Sequence, residues 1–147
     1  KATIANQLAL YLTMYSPLQM AADFPEHYDQ FADAFQFIKD VAVDWQKSKY
    51  LLAEPGDYIV VARKAKKSGQ WFAGGVTDEN SRTLDIPMNF LDPGKTYVAK
   101  IYADAPDADY EKNPQAYVIT EQNVTSESVV PVFMARGGGF AIEFREK

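Results

Sequence analysis

The spacing of apolar residues changes near residue 50, and this change constrains the fold more than any other feature of the chain. Before it, apolar residues recur at intervals of three or four, which is typical of one face of an α-helix. The first series is Ile4, Leu8, Leu12 and Tyr15. Beyond it, short alternating segments separated by turn residues are typical of β-strands. The sequence therefore predicts an α+β fold, with a helical part at 1–50 and a β-domain at 51–147.

The first part reads as a helix, a short strand and a second helix. Thr3 is the predicted N-cap of the first helix, and Pro17 ends it. The brief apolar run 17–22 suits a buried parallel strand. Pro25 then opens a helix. Its predicted apolar face is Tyr28, Phe31, Phe35, Ile38 and Ala42. Such a unit cannot close a sheet alone.

The second part contains a series of alternating segments, which indicates an antiparallel β-sandwich. The predicted strands are 58–62, 70–76, 84–90, 96–104, 115–120, 128–134 and 140–144. In the last of these, alternation places Phe140, Ile142 and Phe144 inward, with Glu143 and Arg145 facing water. The predicted core consists of Tyr58, Val60, Ile86, Met88, Ile101, Ile142 and Phe144.

Composition excludes several classes of function. The chain has no cysteine, which excludes disulfides, cysteine-ligated metals and thiol nucleophiles, and its one histidine is His27. Fifteen basic residues against 20 acidic ones give a net charge of −5, which disfavours nucleic acid and anionic membranes as partners. No apolar run approaches the length of a membrane span. The opening residues contain no signal peptide, so we expect a piece of a longer polypeptide.

Asp23 and His27 are the candidate substrate-binding residues. They follow the short predicted strand, and if that strand belongs to a barrel, its carboxyl end faces the active site. The alternative is that Asp23 caps the next helix and His27 is a solvated residue of its first turn. We favour the alternative on residue chemistry alone. No pair of carboxylates suggests a catalytic site, so no catalytic residue is predicted.

Four further features each have a simpler structural interpretation. The acidic residues of segment 104–111 lack the glycine of a calcium loop, so we expect a solvated turn and no metal site. The glycine run 137–139 leads into a strand and is predicted to be a hairpin turn. The lysines of 64–67 are expected at a hairpin tip. Three aromatic residues could stack on sugar rings, although they more often belong to a core: Trp71, Tyr102 and Tyr117.

The most specific stretch of the sequence is Ser16-Pro17-Leu18-Gln19-Met20-Ala21-Ala22-Asp23, followed by Pro25-Glu26-His27-Tyr28. These segments resemble the end of the catalytic barrel of glycoside hydrolase family 97, and the resemblance extends over nearly the whole chain. Looser similarity continues through Glu54-Pro55-Gly56-Asp57 and Trp71-Phe72-Ala73-Gly74 into its C-terminal β-domain. Phe24 and His27 depart from the serine and asparagine frequent in the family, so sugar specificity is not carried over.

The resemblance implies a periplasmic parent enzyme with an N-terminal β-sandwich, a (β/α)8 barrel and a C-terminal β-domain. Family members are calcium-dependent α-glucosidases, with some α-galactosidases. Their catalytic carboxylates and calcium ligands lie upstream of Lys1, so this chain is expected to hold no cofactor and to be inactive alone. Its expected partners are the remainder of the barrel and, for the parent, an oligosaccharide substrate.

Two other functions remain open from the sequence. A free-standing carbohydrate-binding module would display exposed aromatic residues in a row. An oligomerisation module would display an apolar patch on its exterior. We also expect self-association through the helical half, because two helices and one strand leave the apolar faces of 4–12 and 28–38 short of partners.

Overall fold

The computed structural model describes residues 2–13, 31–41 and 44–147. The predicted strand at 17–22 and the first turn of the second predicted helix lie outside the described residues, as does the side chain of Phe35.

Among the described residues, two helices precede the strands. Helix α1 spans Ile4–Thr13, and the backbone N–H of Asn6 donates to the Thr3 hydroxyl at 3.1 Å, which confirms Thr3 as the N-cap. Helix α2 spans Ala32–Asp40, with an acidic residue in its first turn and a basic one in its last, as the helix dipole favours. Neither described helix is long and apolar enough to cross a membrane.

Eight strands follow, and every pairing between them is antiparallel. They are β1 (Trp45–Glu54), β2 (Tyr58–Ala65), β3 (Trp71–Thr77), β4 (Arg82–Pro87), β5 (Tyr97–Asp104), β6 (Tyr117–Val124), β7 (Val129–Met134) and β8 (Gly139–Glu146). The large sheet has the order β1-β2-β3-β8-β5-β6, and the small sheet pairs β4 with β7.

Strand β1 was missed by the sequence analysis. Helix was predicted up to about residue 50, yet Trp45 begins a strand that pairs with β2. Most of its side chains are exposed, so it lacks the alternation by which the other strands are recognised.

The two sheets pack face to face, which confirms the sandwich. Six of the seven predicted core residues are buried between them, and the exception is Tyr58, which is half-buried. Its ring lies beneath the guanidinium of Arg82, 4.8 Å from the ring centroid. The core between the sheets includes Val60, Ile86, Met88, Phe90, Ile101, Phe140, Ile142 and Phe144.

The helices cover the other face of the large sheet and form a second hydrophobic core there. The apolar face of α1 is buried, with Leu8 and Leu12 fully inaccessible. In α2, Phe37 and Ala34 are buried, whereas Phe31 and Ile38 are only partly buried. The buried face of α2 is therefore rotated relative to the predicted face. The described residues of these faces are therefore covered by the large sheet within one chain and do not themselves require a second copy, while Tyr28 and the side chain of Phe35 lie outside the described residues.

Truncation of the sandwich core is expected to be costly. Changing Ile101 or Phe144 to alanine should lower the free energy of unfolding by roughly 2–5 kcal/mol, since each change leaves a cavity. Chemical denaturation measures this loss. The matched control is Val129→Ala, because Val129 is 61% exposed and its truncation should change stability by less than about 0.5 kcal/mol. Losses below about 0.5 kcal/mol at both core positions would contradict the sandwich register.

Candidate functional site at the helix–sheet seam

The seam is defined here as the contact between helices α1 and α2 and the large sheet. Its floor is made of very small residues. A Cβ atom added to Gly74 of β3 would lie 2.9 Å from Leu12 Cδ1, and one added to Gly139 would lie 3.0 Å from Asn6 Cα. Ala141 of β8 is also buried at the seam. Helix α1 can therefore approach the backbone of the sheet more closely than larger side chains would permit.

The start of α1 is anchored on the glycine run that precedes β8. The Asn6 side-chain amide donates to the carbonyl oxygen of Gly138 at 2.9 Å. The backbone N–H of Thr3 donates to the carbonyl of Gly137 at 3.4 Å. This run was predicted to be a hairpin turn. That prediction is wrong, because β7 and β8 belong to different sheets and the glycines carry the chain between them.

A buried carboxylate fixes the glycine run. Asp104 Oδ2 accepts hydrogen bonds from the backbone N–H groups of Ala135 and Gly139, at 2.8 and 2.9 Å. Burial raises the pKa of Asp104 above its usual range. A Cβ at Gly138 would fall 1.9 Å from the same carboxylate oxygen, so this position requires glycine.

Polar contacts also hold the end of α1 and the start of α2 on the large sheet. Arg63 Nε of β2 donates to the carbonyl oxygen of Leu12 at 2.5 Å, near the end of α1. The Tyr117 hydroxyl of β6 donates to the Asp33 carboxylate in α2. Burial, followed by this hydrogen bond, raises the pKa of Tyr117 to about 12.

Aromatic rings fill the space beneath α2. Phe37 makes edge-to-face contacts with Tyr102 and Phe72, at centroid separations of 5.3 and 6.1 Å. Tyr102 is completely buried, and Trp71 lies 3% exposed in the sandwich core. Tyr117 is half-buried and packs against Phe31 at 6.3 Å. Of the three candidate sugar-stacking residues, two belong to cores and the third to the seam.

Glu143 is a buried titratable group in the middle of the seam. It was predicted to face water, but it is only 4% exposed, because it lies on the face of β8 that the helices cover. Burial, followed by a hydrogen bond with the Asp40 carboxyl, raises the pKa of Glu143 to about 7, against the opposing effect of Lys100 and Arg145. Glu143 of β8 and Asp40 at the end of α2 are thus neighbouring carboxyl groups.

The acidic turn after β5 consists of carboxylates already bound to protein donors. Asp109 forms an ion pair with Arg136 at 2.6 Å and accepts from two backbone N–H groups, and the Arg136 hydrogen bond holds its pKa well below the usual range. Asp107 accepts from the Asn113 side chain. No group of three metal-ligating side chains occurs among residues 2–13, 31–41 and 44–147. The described residues therefore do not fit the calcium that the family resemblance implies for the parent.

The other predicted features are the lysines of 64–67 and the substrate-binding candidates Asp23 and His27. The basic segment forms the tip between β2 and β3 as predicted, with the Lys64 ammonium 5.8 Å from the centroid of the Trp71 ring. Asp23 and His27 lie outside the described residues. In the part of the chain that is described, the seam brings together polar groups from both helices and the large sheet. Its chemistry is that of an intramolecular interface, since its carboxylates bind protein donors or one another.

The sequence analysis missed the polar residues of the seam, Glu143 among them. Alternation in β8 was interpreted with one face toward water, whereas both faces of the strand are covered. A signal was present in the small residues of the covered face, Gly74 and Ala141, which indicate close approach by another element.

Comparison with known proteins shows a match across the whole chain. Residues 44–145 match the family described as "Glycosyl-hydrolase 97 C-terminal, oligomerisation". A retaining alpha-galactosidase of Bacteroides thetaiotaomicron is 32% identical over 97% of this chain and 21% of its own length. A probable retaining alpha-galactosidase of Streptomyces bingchenggensis is 31% identical over 72% of this chain and 16% of its own. This chain thus spans about a fifth of the length of these relatives.

Solved structures contain the same arrangement. A glycoside hydrolase family 97 enzyme from Pseudoalteromonas sp. strain K8, in complex with acarbose, is 41% identical with a TM-score of 0.91. The match covers 99% of this chain and 23% of the solved chain. A beta-arabinopyranosidase structure is 17% identical with a TM-score of 0.63 over 82% of this chain, which shows similarity of fold alone.

Replacing Glu143 with glutamine should change how stability depends on pH. In the folded chain the pKa is about 7, above the ordinary value of 4.5, so between these values the folded state binds a proton that the unfolded state releases. The contribution of Glu143 to stability therefore falls as pH rises from about 5 to 8. Glu143→Gln lacks this loss, and should gain about 2–3 kcal/mol relative to the native chain over that interval.

Urea denaturation of both proteins at pH 5 and pH 8 measures the effect. The control is Glu127→Gln, since Glu127 is exposed and should differ from the native chain by less than about 0.5 kcal/mol at both pH values. An equal difference between Glu143→Gln and the native chain at pH 5 and pH 8 would refute the burial of an ionisable group at the seam.

Proposed function

Because the chain belongs to glycoside hydrolase family 97, we propose that it is the C-terminal part of a larger α-glycosidase and performs a structural role there. The observation that carries this proposal is that the match covers nearly all of this chain but only a small part of its relative. The match takes in 97% of this chain but 21% of a retaining alpha-galactosidase. Most of the enzyme, with its catalytic carboxylates and calcium ligands, would then lie upstream of Lys1.

In this proposal the residues before β1 complete the (β/α)8 barrel, and the strands from Trp45 onward form the β-domain beside it, so the boundary lies a few residues before the predicted one at 50/51. The segment would supply the last helix, strand and helix of the barrel, with 17–22 as the final strand. The seam supports this division of the chain into two parts, because it holds α1 and α2 on the large sheet through the contacts of Leu12, Phe37 and Asn6. One face of the terminal barrel helices would be fixed in place by the β-domain.

The family membership gives weight to the other interpretation of Asp23 and His27, as substrate-binding residues, and we propose that role for them in the parent enzyme. They follow the proposed last barrel strand, so they would lie at the end of the barrel where (β/α)8 enzymes bind substrate. We propose that the parent acts in the periplasm on an α-linked oligosaccharide, with either an α-galactosyl or an α-glucosyl residue at the bond cleaved.

Self-association is the second part of the proposed role. The family description of the β-domain refers to oligomerisation, and this supports assembly of the chain with copies of itself. The seam is not available for that purpose, because its apolar residues are buried within one chain. Another surface of the β-domain must form the contact.

The chain alone should hydrolyse neither nitrophenyl α-galactoside nor nitrophenyl α-glucoside in the presence of calcium. The reason is that the described carboxylates of the acidic turn and the seam are bound to protein donors or to each other. Release of nitrophenolate, measured by absorbance, tests this directly. The control is Asp23→Asn, which distinguishes contamination from turnover by this chain. Hydrolysis that is lost in Asp23→Asn would contradict the proposal of a non-catalytic segment.

A further inference from the structure

The described strands leave several sheet edges open, and most of them carry features that prevent pairing. Strand β1 is one edge of the large sheet, and its register with β2 is broken twice, next to Lys47 and next to Leu52. It also carries Lys47 and Lys49. In the small sheet, β7 contains Pro131, which has no N–H to donate, and β4 carries Arg82 and Asp85. Bulges, charges and proline at an edge oppose pairing with another chain.

Strand β6 forms the opposite edge of the large sheet and has neither a bulge nor a proline, and one charged residue, Glu121. Its register with β5 runs without interruption from Tyr117 to Val124. These eight residues include no lysine, arginine or proline. Among residues 2–13, 31–41 and 44–147, no strand pairs with the backbone N–H and C=O groups on its outer side. Such an edge is a template for another strand.

The side chains of β6 are also suited to contact with another strand. Thr120, Gln122 and Asn123 are exposed, and Val118 is 41% exposed. The one charged residue is Glu121, which already has the guanidinium of Arg145 at 3.5 Å. The surface of the edge is therefore weakly polar and nearly neutral, and a strand of the same composition fits it.

We propose that β6 is the surface through which this chain pairs with a second copy of itself, antiparallel and edge to edge, about a twofold axis at Thr120. This inference rests on the self-association proposed above and locates it. A twofold interface brings the same patch of each copy together. With the axis at Thr120, Glu121 faces Ile119 of the second copy and Val118 faces Gln122 of the second copy. The two carboxylates are thereby kept out of direct opposition.

Single cysteines test the pairing and its register, because the native chain has none. Directly opposed residues of an antiparallel pair have Cα atoms about 4.5–5.5 Å apart, within the range of a disulfide. Thr120→Cys should therefore give a covalent dimer on mild oxidation. An equimolar mixture of Val118→Cys and Gln122→Cys should cross-link more than either variant alone. The control is Tyr50→Cys on β1, which is 67% exposed but should stay monomeric.

A charge variant tests whether the edge carries the affinity. Thr120→Lys places two like charges opposite each other at the axis, so the dimer dissociation constant from analytical ultracentrifugation should rise at least tenfold. Tyr50→Lys on β1 should leave it unchanged. Far-UV circular dichroism and thermal unfolding at low concentration establish that both variants fold.

The outcomes separate this inference from the function on which it rests. If the native chain dimerises and Thr120→Lys dimerises equally well, the β6 interface is wrong and self-association stands. If the native chain sediments as a monomer up to millimolar concentration, self-association itself is wrong. Loss of dimer in Thr120→Lys but not in Tyr50→Lys, with cross-links at Thr120→Cys, supports both.

Discussion

The structure depends on the close approach of helix α1 to the large sheet. That approach is possible because β3 and β8 present glycine and alanine where the helix crosses them, with Gly74 directly beneath Leu12. A close contact of this kind stabilises both partners, since the helix is too short to persist alone and the sheet face beneath it is apolar. Hydrogen bonds from Asn6 and Thr3 to the glycine run then fix the start of α1 on the sheet.

This constraint explains why the chain contains both a helical segment and a β-domain. Separated from the helices, the large sheet would expose Phe72, Tyr102 and Ala141 to water. The family match begins at residue 44, yet the fold continues into residues that precede it. A β-domain that holds two helices on its large sheet in this way joins the segment before residue 44 firmly to the strands that follow it. Among the described residues no strand pairs with the outer side of β6, which is the surface proposed for contact with another copy.

The sequence predicts the features that depend on local pattern and misses those that depend on neighbouring elements. The N-cap at Thr3, the sandwich and most of its core follow from periodicity, because one face of each strand is apolar. Strand β1 was not predicted, because an exposed edge strand does not need alternating apolar and polar residues. The burial of Glu143 and the rotated face of α2 were not predicted. Both depend on packing between the helices and the large sheet, which the pattern of a single element does not indicate. The substrate-binding candidates Asp23 and His27 remain predictions.

A double-mutant cycle between Gly74→Ala and Leu12→Ala tests the central claim most directly. Each change alone should destabilise the chain, by about 1–3 kcal/mol for the added methyl group and about 2–5 kcal/mol for the truncated leucine. In the double variant the new methyl group occupies space that the leucine vacates. If α1 rests on a glycine floor, the double variant should lose at least about 1 kcal/mol less stability than the sum of the two. Losses that add to within about 0.5 kcal/mol would show that the two residues do not contact each other, and would contradict the account.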